Sequence, residues 1–167
     1  MDTDLANIEE ERQMRVARRR QIHEFEGALR QLPGAVSQRL SGTYENDLCP
    51  LTHTIIDGIY SREIFIPKGV AIVGEIHRTG FINFMLRGEL ALTTAESSEV
   101  RFLKAPTYMA SEPGIQKVAY ALEDTTWVTV HRTDKTDIKE IEQDLIVMTH
   151  DELPDDVKER LLICQRQ

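Results

Sequence analysis

Apolar and polar residues recur at helical spacing near both ends of the chain and alternate in its middle. Residues 4–31 contain no proline, and their apolar positions form a thin, broken stripe that predicts one amphipathic helix or two shorter ones. Helical spacing returns at residues 136–148, with Thr133 or Thr136 as the expected N-cap. A second short helix is predicted after Pro154.

Residues 53–133 show the pattern of short β-strands. Runs of β-branched and aromatic residues are separated by turn sequences, among them Pro-Lys-Gly, Arg-Gly-Glu and Pro-Gly. The turns recur at roughly ten-residue spacing, which favours a sandwich or barrel over a sheet with crossover helices. The predicted strands or strand pairs are THTIIDGIYSREIFIP, VAIVGEIH, FINFMLRGELALTT, EVRFLKA, TYMASEPGIQKVAYAL and TTWVTVHRT.

These patterns divide the chain into four segments. We expect an N-terminal helical arm at 1–34, a connector at 35–52, a β-rich domain at 53–133 and C-terminal helices at 134–167. The chain has 167 residues, of which 41% are hydrophobic, so it is long enough to bury a core. No apolar run is long enough to span a membrane, and the N-terminus lacks the basic and apolar segments of a secretory signal.

Charge and cysteine content narrow the possible partners and compartments. The net charge of −8 argues against broad binding to a nucleic-acid backbone. The basic run at 18–20 follows three glutamates on the same predicted helix, so we interpret it as a solvated helix face. Cys49 and Cys164 are far apart and lack the spacing of a metal site, which fits a reducing compartment.

The β-rich domain resembles the cupins, a family of small jelly-roll barrels. The first cupin motif is a glycine, five residues, His-x-His, three residues, a glutamate, six residues and a glycine. The residues of this chain at those positions are Gly69, Glu75, His77, Phe81 and Gly88. The second motif passes through a proline–glycine turn to a histidine, and Lys117 stands there. The resemblance implies a mainly β fold, a single cupin-like jelly-roll β-barrel with an N-terminal helical arm and C-terminal helices.

The resemblance also implies a metal site that this chain has partly lost. Metal cupins bind a divalent cation with three histidines and a glutamate. Glu75 and His77 could still ligate, but Phe81 has no donor atom and a protonated Lys117 repels a cation. We therefore expect no cofactor. If a divalent metal binds, the remaining set is Glu75, His77 and His131 on the last strand.

Strand periodicity predicts which side chains meet at the barrel mouth. If Glu75 and His77 face inward, Phe81, Asn83 and Met85 should do so too. Val128 and Val130 favour an outward His131, although Trp127 leaves its direction open. The candidate ligand-binding residues are Glu75, His77, Asn83, Lys117 and His131. They form either a space-filling Glu75–Lys117 ion pair or a pocket for an anionic or sugar-like ligand anchored by Lys117.

A narrower resemblance, over residues 57–146, is to small cupin-like proteins of tailed bacteriophages. It favours a non-enzymatic assembly module in the virion, such as a decoration, adaptor or tail-associated protein. Such a module would contact further copies or other virion proteins through its terminal helices, in the virion or the host cytoplasm. The alternatives are a protein that binds an anion, sugar or nucleotide in the infected cell, and a metal-dependent cupin enzyme. No P-loop, dinucleotide fingerprint or nucleophile elbow is present.

Overall fold

The computed structural model of the protein describes residues 2–32, 48–97 and 99–162. Most of the predicted connector, and Cys164, lie outside these ranges. The helices are α1 (Asp2–Leu29), α2 (Ile138–Leu145) and α3 (Asp155–Leu162), with a 3-10 turn at His150–Glu152. The strands are β1 (Leu51–Ile56), β2 (Ile59–Ile66), β3 (Ala71–Val73), β4 (Ile76–His77), β5 (Phe81–Arg87), β6 (Glu89–Thr94), β7 (Arg101–Lys104), β8 (Thr107–Ser111), β9 (Lys117–Ala121), β10 (Thr125–Arg132) and β11 (Ile146–Val147).

Two antiparallel sheets pack face to face around a shared hydrophobic cluster. The five-stranded sheet has the order β1-β2-β10-β5-β8, the four-stranded sheet has the order β3-β9-β6-β7, and β4 pairs with β11. Residues from both larger sheets meet in one cluster, namely Met85, Leu90, Leu92, Leu103, Ala119 and Trp127. The expected mainly β fold with terminal helices is confirmed. The sheets are jelly-roll-like, and they stay separate instead of closing into a barrel.

Glycine and its neighbours shape the two turns that set this topology. Asp57 and Gly58 have φ of 45° and 81°, as a two-residue hairpin turn between β1 and β2 requires. Gly88 has φ of 95°, and a Cβ there would collide with Thr125 Oγ1 and the Asp124 carbonyl. Gly88 therefore lets the chain leave β5 in one sheet and enter β6 in the other, so the predicted Arg-Gly-Glu joint is a sheet-to-sheet crossing.

The structure corrects two predicted elements. The segment VAIVGEIH is two strands, because β3 pairs with β9 whereas β4 pairs with β11. The predicted helix at 136–148 ends early, because Ile146 and Val147 form β11 and bury Val147 almost completely. Its N-cap is Asp137, whose carboxylate accepts a hydrogen bond from the Glu140 N–H at 3.1 Å. The threonine caps were wrong because a nearer acidic side chain supplies the acceptor.

The N-terminal segment is one continuous helix that docks on its own β-domain. Arg18 Nε donates to the Ala95 carbonyl at 2.8 Å, and Arg19 forms an ion pair with Glu96 at 3.0 Å. Arg15 and Arg19 also donate to the Leu161 carbonyl in the last turn of α3, where the helix dipole favours cations. The solvated-face interpretation was therefore wrong for Arg18 and Arg19. None of the described helices is long and apolar enough to cross a membrane.

Candidate functional site

A cavity of about 540 Å³ lies between the two sheets. Its size falls within the usual range of small-molecule sites. The strands contribute mostly apolar side chains to its wall, including Ile64, Ile66, Ile72, Leu90, Leu92 and Trp127. Polar and charged side chains also line it, so a ligand inside would meet both kinds of surface.

Four of the five candidate residues line this cavity: Glu75, His77, Asn83 and Lys117. The inward register of β5 is confirmed, because Phe81, Asn83 and Met85 are buried whereas the residues between them are exposed. The alternation of apolar and polar residues therefore correctly predicted which side chains of β5 face the cavity.

His131 points into the protein but stands behind the cavity wall. It is only 3% exposed, and its ring stacks at 4.9 Å on His77 and at 4.6 Å on Phe81, measured between centroids. The expectation from Val128 and Val130 of an outward His131 was wrong. The other face of this sheet is also apolar, so apolar character did not distinguish the two faces of β10.

Lys117 begins β9 and extends its amine over an aromatic ring. Its Nζ lies 4.5 Å from the Phe81 ring centroid, a cation–π contact. Within the described ranges no carboxylate pairs with Lys117, so the Glu75–Lys117 ion pair interpretation was wrong. Burial lowers the pKa of Lys117 to about 8. The Glu96 carboxylate opposes this shift in pKa, but it is already paired with Arg19.

Both stacked histidines are neutral at physiological pH. Burial, reinforced by the charges of neighbouring residues, holds the pKa of His77 well below its usual value. Burial and the nearby Arg62 guanidinium lower the pKa of His131 to about 4. The Nδ1 atoms of both rings are buried and accept or donate no hydrogen bond in the described part of the chain. A hydrogen bond to the backbone of Glu75 opposes part of the shift in the pKa of His77.

The described residues do not assemble the three-ligand metal set considered from the sequence. No group of three His, Cys, Asp or Glu side chains among residues 2–32, 48–97 and 99–162 is close enough to hold an ion. Glu75 lies in the break between β3 and β4, while His131 stands behind His77. Two ligands at most would face one cation there, fewer than the usual three or four.

Asn83 uses its side-chain amide to tie three strands together. Its Nδ2 donates to the Met109 carbonyl at 3.2 Å and to Ser111 Oγ at 2.8 Å on β8. Its Oδ1 accepts a hydrogen bond from Trp127 Nε1 on β10 at 3.1 Å. Both amide hydrogens are thus spent within the protein, and Asn83 fixes the position of Trp127 in the cavity wall.

Sequence reasoning missed two contributions to the cavity. Arg62 lines it from β2, and its charge lowers the pKa of both stacked histidines. The signal was the alternation of β2, which places Arg62 in one row with the buried Tyr60 and Ile66. The C-terminal end of α1 and the turn after it form another wall through Leu29 and Leu32. Nothing in the local sequence pattern indicates where that helix end would dock.

No protein-family model matches the sequence, and no curated protein matches it. Solved structures of similar fold include a cupin superfamily protein from Desulfitobacterium hafniense, with TM-score 0.45 and 12% identity over 64% of this chain and 98% of that chain. An RmlC-like cupin from Methanocaldococcus jannaschii has TM-score 0.44 and 12% identity over 55% and 87% of the two chains. An acetylacetone dioxygenase from Acinetobacter johnsonii has TM-score 0.41 and 15% identity over 50% and 58%.

These likenesses have identities of 12% to 15% and TM-scores of 0.41 to 0.45. At such identities and TM-scores they say nothing about ligand, metal or activity. They do not bear on the bacteriophage resemblance, which stays a prediction.

Proposed function

We propose that the protein binds a small anionic ligand in the cavity between its sheets, with Lys117 as the charge anchor. One observation carries the proposal: Lys117 lines a mostly apolar cavity and forms no ion pair with a carboxylate of the described residues, Glu96 acting on it only electrostatically. Burying an unpaired ammonium costs free energy. An anionic ligand would supply the missing counter-charge.

The rest of the lining indicates the form of the ligand. Lys117, Arg62 and Arg30 bring cations to the wall, and Arg30 is paired with Glu26. His77 adds a neutral ring, and Glu75 is a second carboxylate in the lining. The remaining wall is largely aliphatic, with Trp127 held in place by Asn83. This distribution fits an amphipathic anion whose charged group faces Lys117 and whose apolar part contacts the aliphatic wall.

Titration calorimetry with a panel of short carboxylates and phosphate monoesters tests the proposal. We expect a binder whose affinity falls at least tenfold in Lys117→Ala and is largely kept in Lys117→Arg, because arginine retains the charge. Lys68→Ala is the matched control, since Lys68 is exposed and paired with Glu123. Above about pH 8 the affinity should weaken, because Lys117 then loses its proton.

Two outcomes would contradict this function. Equal affinities of the wild type and Lys117→Ala would show that Lys117 does not anchor the ligand. A thermal midpoint that no member of the panel raises would disfavour anion binding, because a ligand at a hundred times its Kd should stabilise the fold by about 2.7 kcal/mol.

Self-association is a second candidate function, and an exposed apolar surface favours it. Ile82, Phe84 and Leu86 on β5 and Tyr108 on β8 form this outer face, with exposures of 46%, 37%, 56% and 74%. Two copies joined through it would bury apolar side chains against the same side chains of the partner. The expected virion role would be one setting for such assembly. The proposed contacts through terminal helices must leave Arg18 and Arg19 on their own β-domain and Arg15 on α3.

A further inference from the structure

We propose that Lys117 forms a covalent imine with an aldehyde or ketone inside the cavity. The inference rests on the cavity being the ligand site proposed above, and it goes further by naming the reacting atom and the bond. Imine formation needs an amine that is accessible to the carbonyl carbon, not held in an ion pair and close to a group that exchanges protons. The surroundings of Lys117 meet these requirements.

Lys117 differs from the other lysines of the chain, which total six with it. Four of the others form ion pairs with carboxylates: Lys68 with Glu123, Lys104 with Glu89, Lys135 with Asp144 and Lys158 with Asp155. Lys139 is exposed on α2. Lys117 alone among them lines the cavity and rests against an aromatic ring.

The apolar wall makes this amine nucleophilic near neutral pH. Only the unprotonated amine attacks a carbonyl, and burial lowers the pKa of Lys117 to about 8. About a tenth of the molecules therefore carry the free amine at pH 7, compared with fewer than one in a thousand for an unperturbed lysine. Ion pairing with Glu123 shifts the pKa of Lys68 in the opposite direction.

The reaction balances with groups that are present. The lone pair of Nζ attacks the carbonyl carbon, and the carbonyl π electrons move to the oxygen, which takes up a proton. Loss of water from this carbinolamine gives the imine, so one amine and one carbonyl yield one imine and one water. Neutral His77 lines the same cavity and packs at 4.3 Å on the ring that Lys117 contacts. Its imidazole can take the proton from Nζ and return one to the leaving hydroxyl.

Reductive trapping tests this inference. The full-length protein is incubated at pH 7 with pentanal, a short apolar aldehyde, and sodium cyanoborohydride, and the alkylated lysines are identified by peptide mass mapping. We expect Lys117 to be alkylated at least tenfold faster than Lys68. The rate at Lys117 should reach half its maximum near pH 8, whereas the rate at Lys68 should still rise at higher pH. Alkylation of Lys117 no faster than that of Lys68 would overturn the inference.

Two variants separate this inference from the anion-binding function. Lys117→Arg keeps the charge but has no primary amine, so anion binding should persist while fast alkylation disappears. His77→Gln should slow the alkylation of Lys117. The pH at which its rate is half-maximal should stay near pH 8. Fast alkylation without any anion binding would leave the imine standing and remove the proposed function. Anion binding with slow alkylation of Lys117 would support the proposed function and overturn the imine.

Discussion

At the scale of single residues, the buried Lys117 destabilises the fold, and a ligand-binding role would explain its presence in the cavity. Its pKa falls from 10.5 in an unfolded chain to about 8, which corresponds to about 3 kcal/mol against the charged form. The unfolded chain keeps this proton between about pH 8 and pH 10, whereas the folded protein has lost it. Stability from this group therefore rises with pH in that window and is lowest below it.

Replacing Lys117 with methionine should consequently stabilise the protein. We expect Lys117→Met to raise the free energy of unfolding at pH 7 by about 2 kcal/mol, a value reduced by the lost contact with Phe81. The advantage should shrink by about 1.4 kcal/mol per pH unit above pH 8. Urea denaturation of both proteins at pH 7, 8 and 9 measures it. A variant less stable than the wild type at every pH would mean that Lys117 has a structural role.

The sequence predicted which strand residues face the site better than it predicted the contacts between their side chains. Alternation along β5 correctly placed Phe81 and Asn83 inside, because strand geometry leaves only two faces. The Glu75–Lys117 ion pair failed because opposite charges in a sequence carry no information about the break at Gly74 and Glu75. The direction of His131 could not be predicted because β10 is apolar on both faces, with Trp127 inside and Val128 on the other side.

At the scale of elements, the docking of α1 depends on a largely buried ion pair. The side chains of Arg19 and Glu96 are each 14% exposed, and Glu96 would be left buried without this partner. We expect Arg19→Ala to lower the free energy of unfolding by about 3 kcal/mol. Arg20→Ala is the matched control, because the Arg20–Glu24 pair lies on the same helix at 81% and 60% exposure and should contribute under about 0.5 kcal/mol.

Chemical denaturation and amide hydrogen exchange measure the two arginine variants. Exchange in α1 should accelerate in Arg19→Ala and stay unchanged in Arg20→Ala. Equal effects of the two substitutions would refute the docking role of Arg19. The sequence could not show that Arg18 and Arg19 dock whereas Arg20 stays exposed. The groups that Arg18 and Arg19 bind, on Ala95, Glu96 and Leu161, are distant in sequence, and two of the three are backbone carbonyls.

At the scale of the whole molecule, turn spacing and periodicity predicted the fold class. Glycines with positive φ, at Gly58 and Gly88, mark the places where the chain reverses or changes sheet. Periodicity could not show that two sheets remain open, because closure depends on which edge strands meet. The cavity could not be predicted either, since its wall combines both sheets with the end of α1.

The open fold also leaves the outer face of Ile82, Phe84, Leu86 and Tyr108 without a cover among the described residues. Phe84 lies opposite Tyr108 in the sheet, and their rings are 6.2 Å apart between centroids, so the two form a single apolar surface. Large exposed apolar patches are typical of interaction sites. If a second copy covers this face, a charge placed at its centre should separate the copies, because the lysine would be buried against apolar side chains.

Sedimentation equilibrium tests this association on three proteins. We expect the wild type to be a dimer, Phe84→Lys to be a monomer, and Phe102→Lys to remain a dimer. Phe102 is a matched control because it is 70% exposed on β7, in the other sheet. A monomeric wild type would refute self-association through any face. Dissociation of both variants would contradict an interface confined to the outer face, since Phe102 lies in the other sheet.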